Sequence, residues 1–186
     1  MTEPAEKRAT YQDVLDSPPH MVAEVIAGVL HQSPRPALPH AQAASVVAEE
    51  LGPPFKRAKG GPGGWISLYE PEIHLGDDIV VPDVGGWRRE TLAVLPEDPY
   101  LAVAPDWVCE VASPSTRALD RGLKLEIYQR EGVDHVWLVE PLDKFLEVLE
   151  LDGETYRIVQ RASTDEPARL RPFDAIVFDV AALWSR

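Results

Sequence analysis

The sequence predicts an α/β fold in which a mixed β-sheet is flanked by helices. Short runs rich in β-branched and apolar residues alternate with segments of helical spacing, which is the pattern of an α/β domain. An Asp-Gly pair at positions 152 and 153, between two alternating runs, predicts a β-hairpin near the C-terminal end. The length of 186 residues suits one domain, which we place over residues 10–186.

The N-terminal segment predicts a short helix and a β-ribbon. Residues 1–9 are polar and are expected to be disordered, whereas Thr10 can cap a helix over residues 11–15. The run MVAEVIAGVLHQ predicts an added two-stranded ribbon that turns at Ala27-Gly28. Glu24 lies in the first arm of this ribbon. Its side chain either faces solvent on an edge strand or belongs to a functional site.

A longer helix and a glycine-rich loop follow. Residues 40–51 have helical spacing, and Gly52 is expected to end the helix. His40 stands at the helix start, where a histidine usually caps or packs. The loop over residues 52–64 is either a solvated turn or a mobile basic flap next to a phosphate backbone, since it carries Lys56, Arg57 and Lys59.

The central part predicts two strands that carry acidic residues. The run WISLYEPEIHL is expected to pair with the next strand, DDIVVPDV, which ends at Asp83. The chain then leaves the sheet over residues 85–105, with a short helix around residues 89–95. The run DWVCEVA is the next strand, and it carries Glu110.

The C-terminal half predicts a long helix, three strands and a short terminal helix. A helix over residues 117–131 begins at Ser115 or Thr116 and ends at Gly132. The run DHVWLVEP predicts a buried strand, and residues 145–160 form the Asp-Gly hairpin. The tail FDAIVFDVAALW closes the domain with a short helix.

Glu110 is the most informative single residue. Strand alternation places it on one face with Val108 and Ala112, and a buried carboxylate is costly unless it is paired or bound to a metal. Asp83 lies on a strand that can pair with the strand of Glu110, so the two acids are compatible with one metal ion. Asp106 stands roughly 13 Å from Glu110 along the same strand and is better explained as a strand-start residue.

The helix after Glu110 supplies a polar stripe. Asp120, Lys124 and Tyr128 recur every four residues and therefore lie on one face. The stripe either points into a site with the two acids or forms an exposed ion pair between Asp120 and Lys124, which would contribute only tenths of a kcal/mol.

The order of these segments resembles the Uma2 family, which belongs to the PD-(D/E)XK restriction-endonuclease-like proteins. The resemblance rests on VPDV, on CEVASPST, and on the helix D-R-G-L-K-L-E-I-Y followed by HVWLVEP. It implies a restriction-endonuclease-like fold in which Asp83 and Glu110 bind Mg²⁺, with Mn²⁺ as an alternative ion, together with a backbone carbonyl near Val111.

The resemblance also assigns roles to the remaining polar residues. The superfamily places a lysine two residues after the second acid, where this chain has Ala112. Lys124 is expected to supply that charge from the helix. Tyr128 and Asp120 match flanking positions, and Glu24 resembles an accessory acid.

The implied function is hydrolysis of phosphodiester bonds in DNA by a Mg²⁺-dependent endonuclease. The formal net charge of -13 disfavours a protein that coats nucleic acids, and it modestly favours an alternative in which the nuclease fold is inactive and serves as a binding or assembly module. A weaker alternative is a hydrolase of small phosphoesters.

Composition sets further bounds. The single cysteine, Cys109, excludes an intramolecular disulfide and is expected in the core. No apolar run approaches the roughly 20 residues of a membrane span, and the N-terminus lacks a signal region, so a cytoplasmic protein is expected. Exposed edge strands make a homodimer plausible.

Overall fold

A computed structural model describes residues 8–34, 36–163 and 166–185. Most of the predicted disordered N-terminus, residues 1–7, lies outside the described residues. The helices are α1 Tyr11–Leu15, α2 Leu38–Leu51, a π-helical turn Gly52–Lys56, α3 Arg117–Asp120, α4 Leu123–Arg130 and a 3₁₀-helix Val180–Trp184. The strands are β1 Met21–Ile26, β2 Val29–Pro34, β3 Trp65–Tyr69, β4 Ile73–Leu75, β5 Asp78–Val80, β6 Val84–Arg88, β7 Trp107–Val111, β8 His135–Glu140, β9 Phe145–Asp152 and β10 Thr155–Ala162.

The described strands form two sheets. A four-stranded sheet has the order β2-β1-β5-β4, and a six-stranded sheet has the order β10-β9-β8-β7-β6-β3. Strands β7 and β8 are parallel, whereas their other neighbours pair antiparallel. The mixed sheet is therefore confirmed, and the parallel pair is connected through α3 and α4.

The N-terminal ribbon is confirmed. Strands β1 and β2 pair antiparallel, with Val25 opposite Leu30 and Ile26 opposite Val29. Ala27 and Gly28 between them have φ angles of 54° and 82°, as a tight hairpin turn requires. Because Val25 also pairs with Ile79, the ribbon is joined to β5. This pairing brings Glu24 towards the centre of the molecule.

The six-stranded sheet has a hydrophobic core on each face. Trp107, Cys109 and Val111 lie on one side with α2 and the C-terminal 3₁₀-helix. Val108 lies on the other side with apolar residues of α4. The predicted alternation along this strand and the core position of Cys109 are thus confirmed, and burial raises the pKa of the Cys109 thiol well above its ordinary value.

Two predicted strands are each divided between the sheets. Residues 65–75 form β3 in the larger sheet and β4 in the smaller one, with a turn at Glu70, whose φ is 45°. The DDIVVPDV run likewise provides β5 and then the start of β6. The prediction that the chain leaves the sheet after Asp83 is wrong.

Two glycines explain why the sequence does not predict β6. Gly85 and Gly86 have weak strand propensity, but large rings occupy the space above them. A Cβ atom at Gly85 would lie 2.8 Å from the Trp87 ring, and one at Gly86 would lie 2.8 Å from the Trp107 ring. The packing of the two indole rings therefore requires glycine at both positions. This packing also stabilises β6, although glycine has a low strand propensity.

The predicted helix around residues 89–95 is absent, since this segment consists of turns and bends. Asp106 holds it to the sheet, because its carboxylate accepts hydrogen bonds from the Arg88 amide at 2.7 Å and the Thr91 hydroxyl at 2.9 Å. The assignment of Asp106 as a residue at the start of a strand is confirmed, as β7 begins at the next position.

The ends of two predicted helices show how the chain continues. Gly52 caps α2, which ends at Leu51 as predicted, but its φ and ψ of -61° and -53° are helical and the chain continues into the π-helical turn. The predicted helix over residues 117–131 is interrupted after Asp120. Gly122, with φ -115° and ψ -107°, begins α4 in a new direction.

Candidate active site

Glu110 is buried at the centre of a polar cluster. Its side chain projects from β7, and the whole residue is 2% exposed. Its Oε1 atom accepts a hydrogen bond from the Tyr128 hydroxyl at 2.5 Å and lies 2.9 Å from the Lys124 Nζ atom. Burial raises the pKa of Glu110 well above its ordinary value, although Lys124 opposes this effect.

Lys124 connects the helix to three acidic side chains. Its ammonium group lies 2.9 Å from Glu110, 3.0 Å from the Oε1 atom of Glu24 and 3.7 Å from the Oδ1 atom of Asp120. It also donates a hydrogen bond to the Val81 carbonyl at 3.3 Å. Burial opposes the charged form, but the surrounding carboxylates outweigh it and raise the pKa of Lys124 well above its ordinary value.

The alternative of an exposed ion pair is wrong, because Lys124 and Asp120 are only 2% and 4% exposed. Burial raises the pKa of Asp120 to about 6, although Lys124 and a hydrogen bond from Thr116 favour its charged form. The solvent-facing alternative for Glu24 is also wrong. Its carboxylate accepts a hydrogen bond from the Val81 amide at 2.7 Å and faces the ammonium of Lys124.

Asp83 stands between β5 and β6, beside this cluster. Its Oδ2 atom accepts a hydrogen bond from the Val111 amide at 2.7 Å, and its Oδ1 atom lies 2.7 Å from the Nε2 atom of His40. The bond to Val111 fixes Asp83 against the end of the strand that carries Glu110. Asp83 also raises the pKa of Glu110 electrostatically, so the two acids act on each other.

His40 is the residue of this cluster that the sequence does not indicate. Its position predicts a role in capping or packing α2, whereas it is buried and contacts Asp83. Its Nδ1 atom has no hydrogen-bond partner among the described residues. No local spacing could have revealed the contact, because the two residues are brought together only by the packing of α2 against the sheet.

The acidic side chains of the cluster, Lys124 and His40 line one cleft of about 50 Å³, which also borders Ser113 and Thr116, whereas Tyr128 lies behind Glu110 and does not line it. Five carboxylates share it with a single ammonium group among the described residues; they belong to Glu24, Glu70, Asp83, Glu110 and Asp120. The excess of negative charge in the cleft favours the binding of a cation.

The cleft offers the donor type that Mg²⁺ or Mn²⁺ requires, namely carboxylate oxygen atoms. Within the described ranges, no group of three or more His, Cys, Asp or Glu side chains is arranged to hold a metal ion. The fit is thus one of donor chemistry: Asp83 and Glu110 are two residues that could hold such an ion, and water would complete the shell, as Mg²⁺ commonly allows.

Comparison with known proteins supports a nuclease fold. Residues 8–181 match the profile of the Uma2 family, described as "Putative restriction endonuclease". A similar solved structure is that of a "putative nuclease belonging to DUF820" from Anabaena variabilis ATCC 29413. It is 20% identical with a TM-score of 0.69, and the similarity covers 95% of this chain and 97% of that one. Among curated proteins, none matches this sequence.

In the described part of the chain, no helix is both long enough and apolar enough to cross a membrane.

Proposed function

Because the chain belongs to the Uma2 family, we propose that it is a Mg²⁺-dependent endonuclease that hydrolyses phosphodiester bonds in DNA, with Mn²⁺ as an alternative ion. The observation that carries this proposal is the position of Lys124. Its ammonium lies 2.9 Å from Glu110, in the cleft that Asp83 also lines, although the chain has Ala112 where a lysine of the strand would stand.

Asp83 and Glu110 are the proposed ligands of the ion. A bound divalent ion lowers the pKa of a coordinated water and stabilises charge on a phosphate. Tyr128 donates to Glu110 and thereby fixes the orientation of its carboxylate. A backbone carbonyl near Val111 is the third proposed ligand of the ion. The amide of Val111 donates to Asp83, so this end of the strand lies next to that carboxylate.

Lys124 is the proposed electrostatic group. The surrounding carboxylates keep it protonated at neutral pH, so it presents a fixed positive charge to a phosphate oxygen or to the attacking water. Asp120 and Glu24 hold the ammonium from two sides and restrict its position. These two acids are positioning residues in this scheme.

A specific observation favours the alternative of an inactive binding or assembly module. Both oxygen atoms of Asp83 already have partners in His40 and Val111, and Lys124 is surrounded by acceptors of the protein itself. With a net charge of -13, the molecule also repels DNA at long range. Catalysis would require Asp83 to exchange one of these partners for the ion.

Plasmid cleavage by the purified protein in Mg²⁺ or Mn²⁺ separates the two functions. We expect cleavage by the wild-type protein to disappear in EDTA. The cleavage rates of Glu110→Gln and Lys124→Met are expected to be at least about 100-fold lower than the wild-type rate, which is the usual effect of losing one electrostatic group at a preorganised site. Glu126→Gln removes an exposed carboxylate from the helix of Lys124 and is the matched control. Cleavage that survives both site substitutions refutes the nuclease assignment, and the absence of wild-type cleavage favours the assembly module.

We further propose a cytoplasmic homodimer. The exposed apolar side chains of Leu38 and Leu142, which are 85% and 61% exposed, support association. Sedimentation equilibrium is expected to give twice the monomer mass, and a monomer at micromolar concentration would contradict the proposal.

A further inference from the structure

Three arginines lie close together on the face of the six-stranded sheet that carries Glu110. Arg117 begins α3, Arg121 directly follows it, and Arg161 stands near the end of β10. Their side chains are 48%, 30% and 56% exposed. We call these three residues the arginine patch. On a protein whose net charge is -13, such a group of exposed cations requires an explanation.

Two buried carboxylates hold the guanidinium groups of the arginine patch. The Oε1 atom of Glu140 lies 2.7 Å from the Nε atom of Arg121 and 3.2 Å from that of Arg117. Glu147 lies 2.8 Å from Arg121 and 3.8 Å from Arg161. Because replacing buried ion pairs by apolar side chains is often neutral or stabilising, stability alone does not require these pairs. Their effect is to fix positive groups at the surface above acids that are only 5% and 8% exposed.

The arginine patch keeps N–H groups for a ligand. Arg121 donates to its two acids from Nε and Nη2, and its Nη1 makes no hydrogen bond with a described residue. Arg161 makes none at all within the described ranges, and its guanidinium lies over the ring of Phe145 at 4.2 Å from the centroid. The ring fixes the plane of the guanidinium and leaves its edges free. A planar guanidinium with free N–H groups binds two oxygen atoms of one phosphate.

The solvent-exposed charge of the arginine patch is positive. Among the described residues, Asp143 is the one exposed acid that pairs with it, 52% exposed and 3.1 Å from Arg117. A phosphate that approaches from solvent therefore meets three guanidinium groups and one carboxylate. Salt screens charges beyond about 8 Å, so a phosphate at the patch responds to these groups more than to distant acids.

The segment of α3 joins the arginine patch to the cleft. Thr116 and Asp120 line the cleft, and the residue that follows each of them, Arg117 and Arg121, belongs to the patch. Successive helical residues point to adjoining sides of the helix. The patch and the cleft are therefore separated by the width of a single helical turn.

Strand pairing gives the distance across the sheet. One row of paired residues crosses four neighbouring strands, namely Glu110, Leu138, Glu147 and Arg161. With strands about 4.8 Å apart, the backbones at the two ends of this row stand about 14 Å from each other. At about 3.4 Å of helix axis per phosphate, this distance spans about four phosphates of one DNA strand. A duplex with one phosphate at the cleft therefore reaches the patch with its flank.

We propose that the arginine patch binds the phosphate backbone of the DNA that enters the Asp83–Glu110 cleft. The inference rests on the proposed nuclease function and identifies the surface that the flanking DNA follows. Arg117 and Arg161 contact phosphates, whereas Arg121, the least exposed of the three, holds α3 on the sheet. Contacts of this kind position the DNA without reading its sequence.

The test measures the binding of a fluorescent DNA duplex at increasing KCl concentrations. Because the arginine patch lies outside the cleft, its contacts need no metal ion, and anisotropy in EDTA reports binding without cleavage. Each phosphate contact contributes about 0.9 to the slope of log K against log salt concentration. We expect Arg117→Gln and Arg161→Gln each to reduce this slope by about 0.9. Arg161→Lys is expected to keep the wild-type slope, because an ammonium group also neutralises a phosphate.

Arg157→Gln is the matched control. Arg157 lies on the same strand as Arg161, and its side chain is 70% exposed. It stands opposite Glu150, whereas Arg161 stands opposite Glu147. These two glutamates are three positions apart on β9 and point to opposite faces of the sheet. The control therefore removes the same charge from the other face, and the wild-type slope is expected for it.

A wild-type slope in both Arg117→Gln and Arg161→Gln overturns the inference, and so does the absence of DNA binding by the wild-type protein. An equal reduction in Arg157→Gln also overturns it, because net charge rather than the arginine patch would then set the slope. Metal-dependent cleavage with unchanged slopes refutes the patch and leaves the nuclease function intact. Reduced slopes without cleavage refute the nuclease function alone.

Discussion

Asp120 is expected to make the protein less stable as the pH rises from about 4 to about 6. Burial raises its pKa from 3.8 to about 6, so the folded protein binds a proton in this window that the unfolded chain has already released. The free energy of unfolding therefore falls with rising pH. A rise from 3.8 to about 6 corresponds to about 3 kcal/mol in total.

Asp120→Asn removes this titration and isolates its contribution. Urea unfolding followed by tryptophan fluorescence at pH 4, 5, 6 and 7 in EDTA gives the stability of each protein. The stability of the wild-type protein minus that of the Asp120→Asn variant is expected to fall by about 3 kcal/mol across the window. Because the charge of Asp120 raises the pKa of Glu110, the difference reports the titration of Asp120 together with its coupling to Glu110.

Asp98→Asn is the matched control, because it makes the same chemical change at an exposed aspartate. A flat curve for Asp120→Asn would show that Asp120 is not desolvated. A curve that rises from pH 4 to pH 6 would show that Lys124 lowers the pKa of Asp120 more than burial raises it. Either result refutes the electrostatic description of the cluster.

Three further substitutions, two in the cluster and one at Arg121 outside it, are tested by urea unfolding at pH 7. Lys124→Met leaves buried acids without a cation and is expected to cost about 3–5 kcal/mol, and a cost below about 1 kcal/mol would contradict the buried position of the ammonium. Tyr128→Phe removes the hydrogen bond to Glu110 and is expected to cost about 1.5–3 kcal/mol, with unchanged stability as the contrary result. Arg121→Ala removes the ion pairs that Arg121 forms with the buried acids Glu140 and Glu147 and is expected to lower the free energy of unfolding by about 3 kcal/mol. Arg121→Lys should recover part of this loss.

The sequence was sufficient to predict the face of each site residue but not every partner. Period-two alternation placed Glu110 opposite the core side chains of β7, and four-residue spacing placed Asp120, Lys124 and Tyr128 on one stripe. Both patterns depend only on the spacing of residues within one strand or helix, so the folded structure keeps the faces that they predict. His40 could not be predicted as a partner of Asp83, since their contact depends on how α2 packs against the sheet.

The errors in the fold have a related physical origin. The sequence signal for β6 is weak because its two glycines lack side chains, whereas the strand is stabilised by indole rings that pack over them. The predicted helix over residues 117–131 has good helical spacing throughout, and only its backbone at Gly122 interrupts it. At β6 tertiary packing outweighs local propensity, and at Gly122 the low helix propensity of glycine outweighs the helical spacing of the residues around it.

The interruption at Gly122 bears directly on the position of the ammonium. A Cβ atom at this residue would lie 2.8 Å from the Ala118 carbonyl oxygen, so the elbow between α3 and α4 requires glycine. Arg121 holds the elbow to the sheet, because its guanidinium lies 2.7 Å from Glu140 and 2.8 Å from Glu147. The strand has Ala112 where a lysine would be fixed by β7 itself. In the proposed scheme Lys124 supplies that charge from α4, where the elbow positions it, so the geometry of the cleft depends on contacts made outside it.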